Sequence, residues 1–352
     1  MVEVDGSYGE GGGQILRTAV VFSIIMGKPV RVSNIRAGRE VPGLRQQHVS
    51  ALETLAQIFG AELSGAAIGS SQISYSLGKL GATSIRVDMK TAASITLLLQ
   101  AVIPAVALTH TRVALEITGG TDVPWSPTFD YLTNVVRPAY AILGMRFDAT
   151  ADRRGYYPRG GGKVSATVEP AAQVRAVNLT TRDGPVEVDL ASRCAGLPRH
   201  VAERQLEAMV SVLSSSRVEI RSRTLHEEEA DSPGSSVLAS ATSGGLLLGA
   251  DGLGARGKKA EKVGRGAAES LVTSLHSGAS VDSNLADMIA PILSLAAGDS
   301  SLLVPQVSPH LKTGLHVAKL FTGCESSYME VGKAYLVKIH PISGSASNSG
   351  DS

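Results

Sequence analysis

Apolar positions along the 352-residue chain follow two alternating rhythms. Short runs with every second residue apolar, "KPVRVSNI", "SQISYSL", "TSIRVDM", "TRVALEI" and "KVSATVEP", predict strands, and the opening "VEV" reads the same way. Between them apolar residues recur every three to four positions. This predicts helices over roughly 14–25, 45–59, 92–106, 128–143, 200–213, 260–276, 285–297 and 313–321. Three of these stretches, "AASITLLLQAVIPAV", "SPTFDYLTNVVRPAYAIL" and "LADMIAPILSLAAG", are nearly all aliphatic and should bury a broad face against a sheet. The alternation predicts an α/β fold of sandwich units, whose self-similarity is too weak to count repeats. From 184 to 262 charge and serine rise ("SSSRVEIRSRTLHEEEADSPGSS"), and the segment reads as a small inserted α/β domain. Residues 1–183 and 263–343 then form the large domain, and the low-complexity 344–352 reads as a disordered tail.

Composition narrows the classes. With 43% hydrophobic residues but only 5 Phe, 8 Tyr and 1 Trp, the core must be aliphatic. A formal net charge of +1 argues against a protein that coats nucleic acid, while allowing a local basic pocket. Cys194 and Cys324 form no CxxC unit, which argues against a zinc ribbon or disulfide framework and fits a reducing compartment. No signal-peptide pattern or membrane-length apolar run appears, so a soluble cytoplasmic protein is expected.

Four places could carry chemistry. In "DGSYGEGGGQILRTA" a glycine-rich turn enters a helix, leaving backbone N–H groups at the positive end of its dipole, a ready anion site. Glu10 adds a hard oxygen ligand suited to a divalent metal, and Arg17 a forked donor; close helix–strand packing explains the glycines equally well. No Gly-Lys-Ser/Thr or GxGxxG follows. "IRAGREVPGLRQQH" gathers Arg36, Arg39, Arg45, Gln47 and His48 about two turns, the makings of a phosphate clamp or of a solvated loop. "RRGYYPRGGGK" interleaves cations with tyrosines, which suits a nucleic-acid strand or an ordinary twisted hairpin. In "VSPHLKTGLHVAKLF", His310 falls just before a helix, where the dipole favours a neutral ring available as a nucleophile; a lone histidine is more often a structural one, so the residues alone make His310 a candidate.

Taken together, "DGSYGEGGGQILR", "IRAGREVPGLRQQH", "TGGTDVPWSP", "YYPRGGG", "AGLPRHVAE" and "HLKT" resemble, in content and order, the RNA 3′-terminal phosphate cyclases, over residues 5 to about 320. The resemblance implies repeated units of a four-stranded sheet backed by two helices, an architecture related to enolpyruvyl transferases, with a smaller domain inserted. It implies that a histidine attacks the α-phosphorus of ATP, that AMP passes to an RNA 3′-phosphate, and that the 2′-hydroxyl closes a 2′,3′-cyclic phosphate. By position, His310 would be the nucleophile and Glu10 the ligand of a divalent metal, Mg²⁺ or Mn²⁺. Arg17, Arg36, Arg39, Arg45, Gln47 and His48 would hold the RNA end or the ATP phosphates. Gln100, Pro127, Asn284, Leu285, Ala286, Asp287 and Met288 would line the nucleotide site. The partners implied are ATP and RNA with a 3′-phosphate, with no membrane; a monomer and a homodimer both stay open. Two positions depart from the family: Gly314 stands where Asn is common, and Met288 where Gln is usual. The rival readings are a catalytically inactive RNA-binding relative in ribosome biogenesis, which would lack the nucleophilic histidine, and an enolpyruvyl transferase, whose motifs do not match.

Overall fold

The five alternating runs all form strands, and they fall in the first two of three units of one topology. The computed structural model describes residues 1–79, 81–182, 184–242 and 244–342; the predicted tail at 344–352 lies outside them. The first unit runs β1 (Val2–Asp5), α1 (Gly13–Met26), β2 (Val30–Ser33), α2 (Gln46–Phe59), β3 (Glu62–Ser64) and β4 (Ile73–Ser76), with sheet order β1-β2-β4-β3. The second runs β5 (Ser84–Asp88), α3 (Ile95–Ala107), β6 (Val113–Gly119), a helical stretch, β7 (Arg146–Arg153) and β8 (Gly162–Glu169), in the equivalent order β5-β6-β8-β7. In both, the first two strands pair in parallel and the other neighbours antiparallel.

The third unit is interrupted. After β9 (Asn178–Leu179) the chain leaves to form β10 (Glu187–Ala195), α6 (His200–Ser215), β11 (Glu219–Glu228), β12 (Gly234–Ala241), β13 (Leu248–Leu253) and α7 (Ala260–Ser277). It then returns through α8 (Ser283–Leu293), β14 (Ser300–Val304), α9 (Pro309–Thr322), β15 (Glu325–Val331) and β16 (Ala334–His340), restoring the same order, β9-β14-β16-β15. The detour has a different order, β11-β10-β12-β13. Its own apolar cluster includes Leu190, Met209, Val237, Leu248, Val263, Leu271 and Leu275. The 262/263 division therefore falls inside α7, which is continuous and packs on α6, β12 and β13.

Helix ends follow their caps. Ser308 accepts the Leu311 N–H at 2.9 Å and Pro309 opens α9, so that helix begins four residues before the predicted Thr313 and carries His310 in its first turn. Ser94 and Asp282 cap α3 and α8 in the same way. The stretch predicted as one helix over 128–143 is α4 (Phe129–Tyr131), a π turn (Leu132–Val136) and α5 (Arg137–Ile142). Pro138, which has no N–H to give the ladder, follows directly on the wide turn.

Helices of all three units meet in the middle, α1 against α3 and α9, and α8 against α9. There the core is aliphatic, with few rings such as Phe22 and Phe321 at 5.9 Å. Gly314 belongs to this crossing: a Cβ there would lie 2.6 Å from Pro291 Cγ, so the departure from Asn accompanies a close α8–α9 approach.

The detour docks on the second unit through buried charge. Arg154 donates to Asp130 at 2.6 Å and to Asp122 at 3.1 Å, while Arg193 of β10 binds the other Asp130 oxygen and Glu228 of β11. Burial alone would raise the Asp130 pKa, but the two guanidinium groups hold it below the usual carboxylate value. Arg154→Ala would leave the buried Asp122 without a cation and Asp130 with Arg193 alone, and should cost about 3–5 kcal/mol of stability in denaturant unfolding. A loss under about 1 kcal/mol would mean that the network is not a structural tie.

Candidate active site

Where the N-terminal ends of α1, α2 and α9 face α3 and α8, they enclose a cavity of about 1260 Å³. It is lined by Glu10, Arg17, Arg36, Arg39, Arg45, Gln47, His48, Gln100, Pro127, Asn284, Asp287, Met288 and His310. Segments more than 250 residues apart in sequence thus converge on one space. Leu285 and Ala286 do not join them: helical spacing turns Asn284, Asp287 and Met288 to the cavity and those two into the core, where both are fully buried.

The glycine turn is fitted to its neighbours. Gly9 has φ +63°, and a Cβ on it would fall 2.2 Å from Thr313 Oγ1 of α9. A Cβ on Gly13 would fall 2.3 Å from His48 Nε2 and 3.2 Å from Arg17 Nη1. The bare backbone thus admits two donor groups beside the start of α1, whose first turn has no side-chain cap and no acid. Three further contacts fix α9 on the turn. Glu10 Oε2 lies 2.9 Å from His310 Nε2, Gln14 Nε2 donates to the His310 carbonyl at 3.3 Å, and the Tyr8 and His316 rings stack at 3.7 Å.

Positive charge is in excess around this turn. Burial lowers the Arg17 pKa to about 10, so the group stays charged, and among the described residues it has no carboxylate partner. Arg36 is held below its usual value by burial and by the charges of Arg39 and Arg45. Among the described residues Glu10 is the one carboxylate in ion-pair range of the group, 3.7 Å from Arg39. Burial, then Arg17, Arg36 and Arg45, push His48 down to about 3. Its Nδ1 accepts the Arg45 N–H at 3.0 Å, so the neutral ring carries its proton on Nε2 and turns that donor to the cavity side of Gly13. Arg36 Nε and Gln100 Nε2 are buried donors without a hydrogen-bond partner among the described residues. Such a cluster calls for a polyanion.

Comparison with known proteins gives the chain a family. A family profile described as RNA 3′-terminal phosphate cyclase matches residues 8–328. Curated proteins of that name align almost end to end. One from Pyrococcus abyssi is 43% identical over 340 residues, covering 96% of this chain and 98% of the relative. One from Thermococcus kodakarensis is 44% identical over 328 residues, 92% and 93% of the two chains. The chain belongs to the RNA 3′-terminal phosphate cyclase family.

Asp251 and Trp125 of this cyclase-family cavity were not singled out in the sequence, and Tyr157 only as one of the tyrosines of the basic patch. Asp251 comes from β13 of the detour and accepts the Thr128 N–H at 2.6 Å; only docking brings it here. Trp125 and Tyr157 lie inside the motifs that carry the resemblance, and both stand exposed at the cavity. The patch "RRGYYPRGGGK" divides: Arg154 and Tyr156 are buried, Arg153 is tied to Asp231, and Tyr157, Arg159 and Lys163 remain on the surface. Among the described residues no three His, Cys, Asp or Glu side chains gather as a protein-only metal cage. Glu10 offers the cavity a hard oxygen donor of the kind a small divalent cation takes.

Asp287 ties α8 to the helix that carries His310, because Ser308, the cap of α9, donates its hydroxyl to it. Burial, with the charges of Asp282 and Glu10, pushes Asp287 up to about 7. The folded protein therefore keeps a proton that the unfolded chain releases near 4, and stability declines as pH rises through that interval. Asp287→Asn removes this penalty. Relative to wild type it should gain on the order of 1 kcal/mol or more between pH 4.5 and 7.5 in thermal or denaturant unfolding. A difference that does not change with pH would contradict the raised carboxyl.

Proposed function

We propose that the protein closes an RNA 3′-terminal phosphate into a 2′,3′-cyclic phosphate at the expense of ATP, with His310 as the covalent nucleophile. The observation that carries the reading is the position of the His310 ring: in the first turn of α9, against Glu10, and in one cavity with an excess of guanidinium groups. In the first step a ring nitrogen bonds to the α-phosphorus of ATP and the bond to the bridging oxygen breaks, releasing pyrophosphate. Glu10 Oε2, already facing Nε2, is placed to take the ring proton. In the second step an oxygen of the RNA 3′-phosphate attacks that phosphorus and the P–N bond breaks, leaving the RNA end capped by AMP. In the third the adjacent 2′-hydroxyl attacks the 3′-phosphorus, expels AMP and loses its proton to solvent.

Positioning and charge neutralisation carry most of such chemistry. Arg17, Arg36, Arg39, Arg45 and the His48 Nε2–H would hold phosphate oxygens, with Gln47 beside them. Gln100, Pro127, Asn284, Asp287 and Met288 would surround the nucleotide, where the orphaned Gln100 Nε2 offers it a donor. A divalent cation, Mg²⁺ or Mn²⁺, would be held by Glu10 and would neutralise phosphate charge when bound. The detour of β10 to α7 would act as an inserted domain that closes one wall through Asp251. No described helix is long and apolar enough to cross a membrane, and both cysteines are free and buried. Both facts agree with work in the cytoplasm.

The test is a 3′-phosphorylated oligoribonucleotide incubated with ATP and magnesium, scored for a phosphatase-resistant cyclic end. Wild type should make it, His310→Ala should not, and Arg17→Ala should lose about 100-fold or more in kcat/KM. A terminal 2′-deoxynucleotide should block closure. Binding of the RNA with no cyclic product at any pH or metal would favour the inactive RNA-binding reading instead.

A further inference from the structure

One group at the cavity touches almost nothing. Trp125, the chain's single tryptophan, is 98% exposed, although it stands in a motif whose neighbours are fixed. Ser126 donates its hydroxyl to the Val123 carbonyl at 2.9 Å, Thr96 to the Pro127 carbonyl at 2.8 Å, and Thr128 its N–H to Asp251 at 2.6 Å. Between these anchors Trp125 has φ +68°, in the left-handed region that a bulky side chain rarely adopts. Strained backbone of this kind persists where the surroundings enforce it and gathers at functional sites. Here it holds a large aromatic surface out in water. Tyr157, 68% exposed, lines the same cavity from the β7–β8 connection.

On the reading above, we propose that Trp125 and Tyr157 form a stacking platform for the bases of the RNA strand just upstream of its 3′-phosphate. Two considerations favour RNA over the ATP base. The cavity interior already offers an apolar wall (Phe22, Leu97, Ala101, Pro104, Pro291 and Ile292) on which a nucleobase can be enclosed. A mononucleotide can lie wholly inside, whereas an RNA whose end reaches the arginines must leave over the rim, where the exposed rings stand. Every base has a π face, so aromatic stacking gives affinity without sequence preference. It also adds affinity without many phosphate contacts, as a chain of net charge +1 requires. The platform makes RNA length a determinant of KM: a terminal nucleotide alone reaches the arginines but not the rings.

The single tryptophan supplies the experiment. Wild-type protein is titrated, without ATP, with a dye-labelled 3′-phosphorylated oligouridylate, following RNA anisotropy and tryptophan emission together; ATP alone is titrated separately. The expected result is quenching that tracks RNA binding, with none from ATP. In turnover, Trp125→Ala should raise KM for that RNA about 10-fold while leaving KM for a mononucleotide 3′-phosphate in place, and Trp125→Tyr should restore most of the loss. RNA that binds without altering emission, or emission quenched by ATP alone, overturns the platform and leaves the cyclase reading standing. If no RNA binds at all, both fall.

Discussion

The site depends on holding several cations close together, with Glu10 the one carboxylate among the described residues in ion-pair range of them. Arg36, Arg39 and Arg45 repel one another, Arg17 is desolvated, and the ring beside them is kept neutral by burial and by their charge. Such a group cannot be held by itself. The aliphatic core beneath it, made by α1, α3, α8 and α9, fixes the backbone that carries each charge and leaves a favourable place for phosphate. The glycines serve the same end, since a Cβ at Gly13 would occupy the position of the His48 ring.

The second requirement is registration of His310 with that charge, across nearly the whole length of the chain. Four contacts provide it: Glu10 on Nε2, Gln14 on the His310 carbonyl, Tyr8 on His316, and Asp287 on the Ser308 cap. Gly314 lets α9 come close to Pro291 of α8 while these contacts form. The three repeated units thus matter to chemistry because each delivers a helix end or a helix face to one cavity.

Sequence periodicity located the helices and six of the sixteen described strands, because aliphatic spacing is a local property, whereas several of the remaining strands carry no such clean alternation. The π turn before Pro138 and the early start of α9 are finer effects, set by a missing N–H and by the Ser308–Pro309 cap. The phosphate-binding candidates were legible because glycine, arginine and turn residues cluster in sequence. Leu285 and Ala286 lie in the core rather than along the cavity, because a contiguous motif on a helix faces two ways. Arg154 looked like part of a basic patch, yet its partners Asp122, Asp130 and Glu228 lie on other elements. Asp251 could not have been foreseen, since nothing local marks the docking that brings it into the cavity.

The most direct measurement is to incubate the protein with ATP and a divalent metal without RNA, quench without acid, and map the modified peptide by mass spectrometry. The account predicts a single acid-labile AMP on the ring of His310, chased off by RNA bearing a 3′-phosphate. AMP on any other residue, or an unmodified protein that still cyclises RNA, would contradict it.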